Sequence, residues 1–171
     1  SSSVARPTRR SVKGPGRGAN SMSVESFLDT NVLIYAVSSA PSEAAKKEKA
    51  LDLVAYADFG LSAQVLQEFY VNVTNTIARP ISPDQAVALL EQFRTFPTVW
   101  TDFPLIVAGI ETSLRFNISF WDGAIIAAAQ RLGATTLYTE DLNHGQHYGS
   151  VQAINPFLSD SVHENTGPQY G

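Results

Sequence analysis

"SFLDTNVLIYA", Ser26 to Ala36, sets an aspartate at the junction of two apolar runs. Val24 to Leu28 has the short apolar character of a buried strand, Asp29 ends it, and Asn31 separates that acid from a second run, Val32 to Val37. Asp29 therefore either caps a helix or holds a ligand. A strand that stops on an acid and gives way to a helix is the first half of a strand–helix–strand unit, so the rest of the chain is read for the other halves.

They recur. Ser42 to Tyr56 reads as a helix whose apolar positions are interrupted by the solvated "KKEK", and Leu61 to Ala63 as a short strand. A helix is predicted from about Gln64 to Ala78, with Val65, Leu66, Phe69, Val73 and Ile77 on one face and Arg79-Pro80 closing it. "SPDQAVALLEQF" carries Ser82, Pro83 at the first helical position and Gln85 three residues after the cap, the capping-box pattern. A brief strand follows around Thr98 to Trp100, then a helix entered through Asp102 and Pro104. "WDGAIIAAAQRLG" is apolar on almost every side, as a helix packed deep against a sheet should be, and Gly133 stops it. "TTLYT" and "VQAI" are the last two strands. The alternation predicts an α/β fold, three layers α/β/α around a central parallel sheet.

The chain has 171 residues, enough for one domain with a substantial core. The domain is expected over residues 22–158. Residues 1–21, "SSSVARPTRRSVKGPGRGANS", are rich in Ser, Gly, Pro and Arg and precede the single methionine, Met22, so they read as a disordered expression leader, with a basic nucleic-acid-binding arm as the alternative. Residues 159–171 read as a polar, frayed tail. There is no cysteine, which excludes disulfides and thiolate metal sites and fits an intracellular, cytoplasmic protein. No apolar run reaches the roughly 18 residues of a membrane span.

The formal charge of −4 hides an asymmetry, because residues 22–171 hold seven basic residues against all sixteen acids, a net charge near −9. Such a body repels polyanions unless its few cations are well placed or metal ions intervene. After Lys49 the cations are Arg79, Arg94, Arg115 and Arg131, the expected grips on a polyanion.

In a parallel sheet the carboxyl ends of the strands and the amino ends of the next helices lie along one edge, where open α/β folds bind ligands. Asp29 ends the first strand, Glu68 lies in the first turns of the helix after "LSA", Asp122 opens the apolar helix, and Asp141 follows "TTLYT". All four can meet on that rim. Each also has a plain explanation: Asp29 and Asp122 as helix caps, Glu68 as an acid favoured by the helix dipole, Asp141 as a turn residue. Gathered together, carboxylates raise each other's pKa unless a cation joins them, and a hard divalent ion such as Mg²⁺ or Mn²⁺ is the ready solution. Hydrolysis of a phosphodiester is the chemistry such a site supports.

"FLDTNVLIYA", "QEF", "WDGAIIAAA" and "LYTED" resemble, in order and surroundings, the acid-bearing elements of the PIN-domain family, especially its VapC-like toxin ribonucleases of type II toxin–antitoxin systems. The resemblance runs from about Val24 to Phe157. It implies that Asp29, Glu68, Asp122 and Asp141 are the catalytic, metal-binding acids, that Thr139 is a supporting hydroxyl and that Asn31 helps to hold the loop. It further implies Mg²⁺ or Mn²⁺ as cofactor, RNA as substrate, a cognate antitoxin protein and a homodimer as partners, and no membrane. Glu140 competes with Asp141 for the last place; strand neighbours face opposite ways, and the Thr-x-Asp spacing favours Asp141. A non-catalytic PIN-like module that binds RNA or protein is the alternative.

Other chemistries lack their residues. An aspartyl phosphatase places a second aspartate where this chain has Asn31, and neither GxGxxG nor GxxxxGK[ST] occurs. His144 and His147 read as loop histidines rather than zinc ligands, because Gly145 and Gly149 interrupt any helix between them. Phe120 and Trp121 could stack a base, but are expected to be packed in the interior.

Overall fold

The computed structural model describes residues 23–159. The leader over residues 1–21 and nearly all of the polar tail lie outside the described residues. Among the described residues six strands form one sheet in the order β3-β2-β1-β4-β6-β5, with β1 at Ser26–Leu28, β2 at Phe59–Ser62, β3 at Thr98–Val99, β4 at Thr136–Tyr138, β5 at His147–Tyr148 and β6 at Val151–Ile154. Every pairing is parallel except β5 with β6. The α/β architecture expected from the alternating pattern is the one observed, with helices flanking the sheet.

The chain runs outward from β1 to β2 and β3, then returns through two helices to lay β4 on the other side of β1. The order of the sheet therefore reverses between β1 and β4, and a crevice opens beyond the carboxyl ends of strands at such a reversal. The helices are α1 (Thr30–Val37), α2 (Ala44–Tyr56), α3 (Ala63–Val71), α4 (Pro83–Phe93), α5 (Phe103–Phe116) and α6 (Phe120–Arg131). α6 lies on β2, β4 and β6 with α5 against it, whereas α1 packs with α2 and α3, and α3 with α4. Phe27, Leu28, Leu61 and Leu137 from the central strands are completely buried.

Local signals explain the ends of these elements. Ser82 and Gln85 close the capping box in both directions, at 3.0 and 3.2 Å. α6 ends in a Schellman motif: Gly133 takes a left-handed φ of 70°, and the amides of Gly133 and Ala134 donate to the carbonyls of Gln130 and Ala129. Its start corrects one of the plain readings above. The cap is Ser119, whose hydroxyl accepts the Asp122 amide at 3.1 Å, so the Asp122 carboxylate is left free of any capping duty.

Two elements differ from expectation. The helix predicted to Ala78 is α-helical only to Val71 and continues as a π-helical turn, Asn72–Thr76. There Asn72, Thr74 and Asn75 each bond their side chains to the carbonyl four residues back, which competes with the regular ladder. "NHGQHYG" is not all loop, since His147–Tyr148 pairs antiparallel with β6. Gly149, at φ 65°, and Ser150 make the two-residue turn between them, a hairpin signal that was present in the sequence.

α5 and α6 meet through glycine. A Cβ on Gly123 would sit 2.5 Å from the Gly109 carbonyl oxygen and 2.9 Å from the Ser113 nitrogen, both backbone atoms. Gly123→Ala is expected to lower stability by about 1–3 kcal/mol by overpacking and to push the amino end of α6, with Asp122, away from α5. Thermal melting checks the first effect; an unchanged melting temperature would mean that the helices separate freely.

Candidate active site

Asp29 leaves β1 at the reversal point. Its amide donates to the Tyr138 carbonyl of β4 at 3.0 Å, so the acid stands between the two strands. Oδ1 accepts the Thr30 amide at 2.7 Å as the cap of α1, and Oδ2 accepts the Thr139 hydroxyl at 2.7 Å. The opening alternative thus resolves into a carboxylate with a capping oxygen and a second oxygen turned toward β4. Only 6% of the residue is exposed. Burial pushes its pKa from 3.8 up to about 7, against the two hydrogen bonds, which pull it down; the charges of Asp141 and Glu68 push it a little further up.

Thr139, completely buried, is shared. While its hydroxyl donates to Asp29 it accepts the Asp141 amide at 3.1 Å, which fixes the backbone from which Asp141 projects. The Asp141 carboxylate accepts the Asn31 amide nitrogen at 3.2 Å. Its pKa is raised, first by burial, then by the charges of Asp122, Glu140 and Glu68, with the Asn31 bond opposing them. Asn31 Oδ1 is buried and has no partner among the described residues. Glu68 is held by the Thr30 hydroxyl at 2.7 Å and by the Gln64 amide at 2.9 Å.

Glu140 faces the other way. It accepts the Tyr35 hydroxyl at 2.7 Å and pairs with Lys46 at 3.0 Å, leaving Asp141 on the rim. Asp141 thus stands within electrostatic reach of Asp122 and Glu68, and Asp29 within reach of Asp141 and Glu68. Among the described residues no three acidic or histidine side chains close into a ligand cage. An all-oxygen set with one orphaned amide oxygen suits a hard ion that keeps several of its own waters and takes few carboxylates directly; it does not suit zinc.

Thr30, Gln64, Tyr35 and Lys46 escaped the sequence reading. Thr30 sits inside the "DTN" motif, but its bond to Glu68 joins segments far apart in the chain. His144 accepts the Asn155 amide and His147 is an exposed residue of β5, so neither bonds to a rim acid. Of the four arginines, Arg94 pairs with Glu91, Arg131 with Asp102, Arg79 donates to the Ser39 carbonyl, and Arg115 lies over the Phe116 ring. Trp121, expected inside, is 63% exposed. It occupies the first turn of α6.

A carboxyl with a folded pKa of about 7 against 3.8 binds its proton more tightly in the folded chain. The stability contributed by that protonated form is complete below about pH 4 and is lost as the pH rises through about 7. In EDTA, the melting temperature of the parent is expected to fall over this interval relative to Asp29→Asn, which keeps a capping oxygen and carries no charge. A constant difference between the two at every pH would show that the charge of Asp29 costs the fold nothing.

The comparisons with known proteins come to the same fold. Residues 26–149 match the PIN domain family. No curated protein sequence matches the chain significantly. Among solved structures, a toxin–antitoxin complex from Klebsiella pneumoniae is 17% identical, covering 77% of this chain and 97% of that one with a TM-score of 0.57. VapC20 of Mycobacterium tuberculosis, described as a sarcin–ricin loop cleaving toxin, is 20% identical, covering 68% and 89% with a TM-score of 0.53. DNA-bound VapBC from Salmonella typhimurium is 16% identical over 78% and 98%, TM-score 0.53. With its matched segment spanning β1 to β5 and all the rim acids, this chain belongs to the PIN domain family.

Proposed function

We propose that the protein is a metal-dependent endoribonuclease that hydrolyses RNA phosphodiester bonds and is the toxin of a toxin–antitoxin pair. The observation that carries the reading is the rim of Asp29, Glu68, Asp122 and Asp141 at the point where the sheet reverses, the first, second and fourth of them held by hydroxyls and amides rather than by cations. The likeness to toxin–antitoxin structures supports the cellular role, with a cognate antitoxin as partner. The open spacing of the acids favours one rival, a PIN-like module that binds RNA or protein without cutting it.

Asp29, Glu68, Asp122 and Asp141 would hold Mg²⁺ or Mn²⁺. When bound, the ion supplies a water activated for attack on phosphorus and neutralises the charge that develops on the phosphoryl oxygens. The chain does the positioning. Thr139 and the Thr30 amide fix the two oxygens of Asp29, Asn31 orients Asp141, and the Thr30 hydroxyl with Gln64 orients Glu68. Asp122 is carried rigidly by the glycine contact between α5 and α6.

RNA cleavage is expected to require Mg²⁺ or Mn²⁺ and to stop in EDTA. Asp29→Asn, Asp122→Asn and Asp141→Asn should each lower the rate by orders of magnitude, and Thr139→Val by roughly 10- to 100-fold, as for groups that orient metal ligands. Mg²⁺ at about a hundred times its Kd should stabilise the parent by roughly 2.7 kcal/mol and Asp29→Asn by less. Full activity in all three purified acid variants would sink the mechanism, and absence of cleavage by the parent with Mg²⁺ or Mn²⁺ present would leave the binding module.

A homodimer is part of the same reading. Phe103, Ile110 and Leu114 form an exposed apolar row along α5, 75, 45 and 78% exposed, and a row of this length on one helix fits a second copy. Sedimentation of Leu114→Glu is expected to give a monomer where the parent gives a dimer; a parent that sediments as a monomer at micromolar concentration would remove this element.

A further inference from the structure

The chain has two tryptophans, and both stand in solvent, Trp100 at 67% and Trp121 at 63% exposed. Each lines a cavity. One, of about 300 Å³, is walled by Leu105, Ile106, Phe120, Trp121 and Ala124, with Gln64 among its polar groups. The other, of about 590 Å³, is bounded by Leu66, Tyr70, Leu90 and Trp100. Gln67 and Thr101 belong to both, so the two make one trough.

The trough starts at the acid rim. Gln64 donates to Glu68 Oε1 at 2.9 Å and to the Trp121 carbonyl oxygen at 3.2 Å, and Trp121 directly precedes Asp122. No charged side chain lines either cavity, so this surface has no cation to offer a phosphate. It offers aromatic faces, an apolar wall and amide groups. Phe120 meets the Trp121 ring edge-on, centroids 5.1 Å apart and planes at 67°, and steadies it. The Trp121 indole nitrogen and the exposed Gln67 amide have no hydrogen-bond partner among the described residues.

A neutral, planar group with hydrogen-bonding edges, attached to a chain whose phosphate reaches the acids, is an unpaired nucleobase. We infer that the trough is a single-strand RNA subsite in which Trp121 stacks the base beside the scissile phosphate and from which the strand continues toward Trp100. The inference rests on the nuclease reading of the rim. A segment of a protein partner would also cover the apolar walls; the continuity with the acids and the stacking and amide groups favour RNA. The acidic body then grips its substrate through bases rather than through many phosphates, in keeping with arginines already engaged elsewhere.

Binding is measured in EDTA, so that no cleavage intervenes, with single-stranded oligoribonucleotides of about eight nucleotides and a matching abasic ribose-phosphate oligomer. In Trp100→Phe, where Trp121 is the remaining fluorophore, the base-bearing oligomer should quench emission saturably and the abasic one should not. Trp121→Ala should weaken binding roughly 5- to 100-fold, and Trp121→Tyr should recover most of it, because a smaller ring still stacks. Equal binding of the two oligomers, or an unchanged Kd in Trp121→Ala, overturns the subsite. A Trp121→Ala variant that loses self-association while its Kd holds makes the trough a protein interface instead. Stacked binding without any Mg²⁺-dependent cleavage would overturn the nuclease reading and leave the subsite standing, so the two failures are distinguishable.

Discussion

The hydrogen bond from the Thr139 hydroxyl to the buried carboxylate of Asp29 joins β4 to β1 where the sheet reverses, and the rim is organised around it. A carboxylate with 6% exposure is costly to ionise unless donors surround it, and here two donors are placed on its two oxygens. Both belong to groups with a second duty. The Thr30 amide opens α1, and Thr139 also receives the Asp141 amide, so the position of one acid sets the position of another. Loss of that hydroxyl would disturb two strand ends and two carboxylates together.

The same economy of donors extends along the edge. Thr30 supplies its amide to Asp29 and its hydroxyl to Glu68, coupling β1 to α3. Among the described residues the ion pairs are Lys46–Glu140, Arg94–Glu91 and Arg131–Asp102, and none places a cation on the four rim acids. Lys46 instead holds Glu140 behind the rim, beneath Tyr35 and Phe157, which meet edge to face at 4.8 Å. A site built in this way keeps its negative charge uncompensated by the protein. That is the condition under which a divalent ion and a phosphate have a reason to enter together.

Surface chemistry complements the rim. An acidic domain with few free arginines is a poor general binder of polyanions, yet its tryptophans and an apolar row on α5 lie in the open. Those groups give it uncharged means of recognition, by stacking and by apolar burial, which salt screens little.

What the sequence by itself determined is what depends on near neighbours. The alternation of strands and helices, the capping box at Ser82 and Gln85, the stop at Gly133 and the deep burial of α6 follow from local periodicity and end chemistry, and each was readable. The placement of the acids near strand ends and helix starts was readable too, but Glu140 and Asp141 lie in a bend beyond β4, where Tyr35 with Lys46 and Thr139, rather than strand alternation, hold them apart. Other features required the tertiary structure. Trp121 is exposed although its helix is apolar on almost every side, and His147–Tyr148 becomes a strand because β6 offers an edge to pair with. The bonds from Thr139 to Asp29, from Thr30 to Glu68 and from Asn31 to Asp141 span 110, 38 and 110 positions in the chain. Periodicity and caps act over a few residues, whereas a hydroxyl finds a distant carboxylate only when strand order brings their backbones together, and strand order is decided by the packing of the whole sheet.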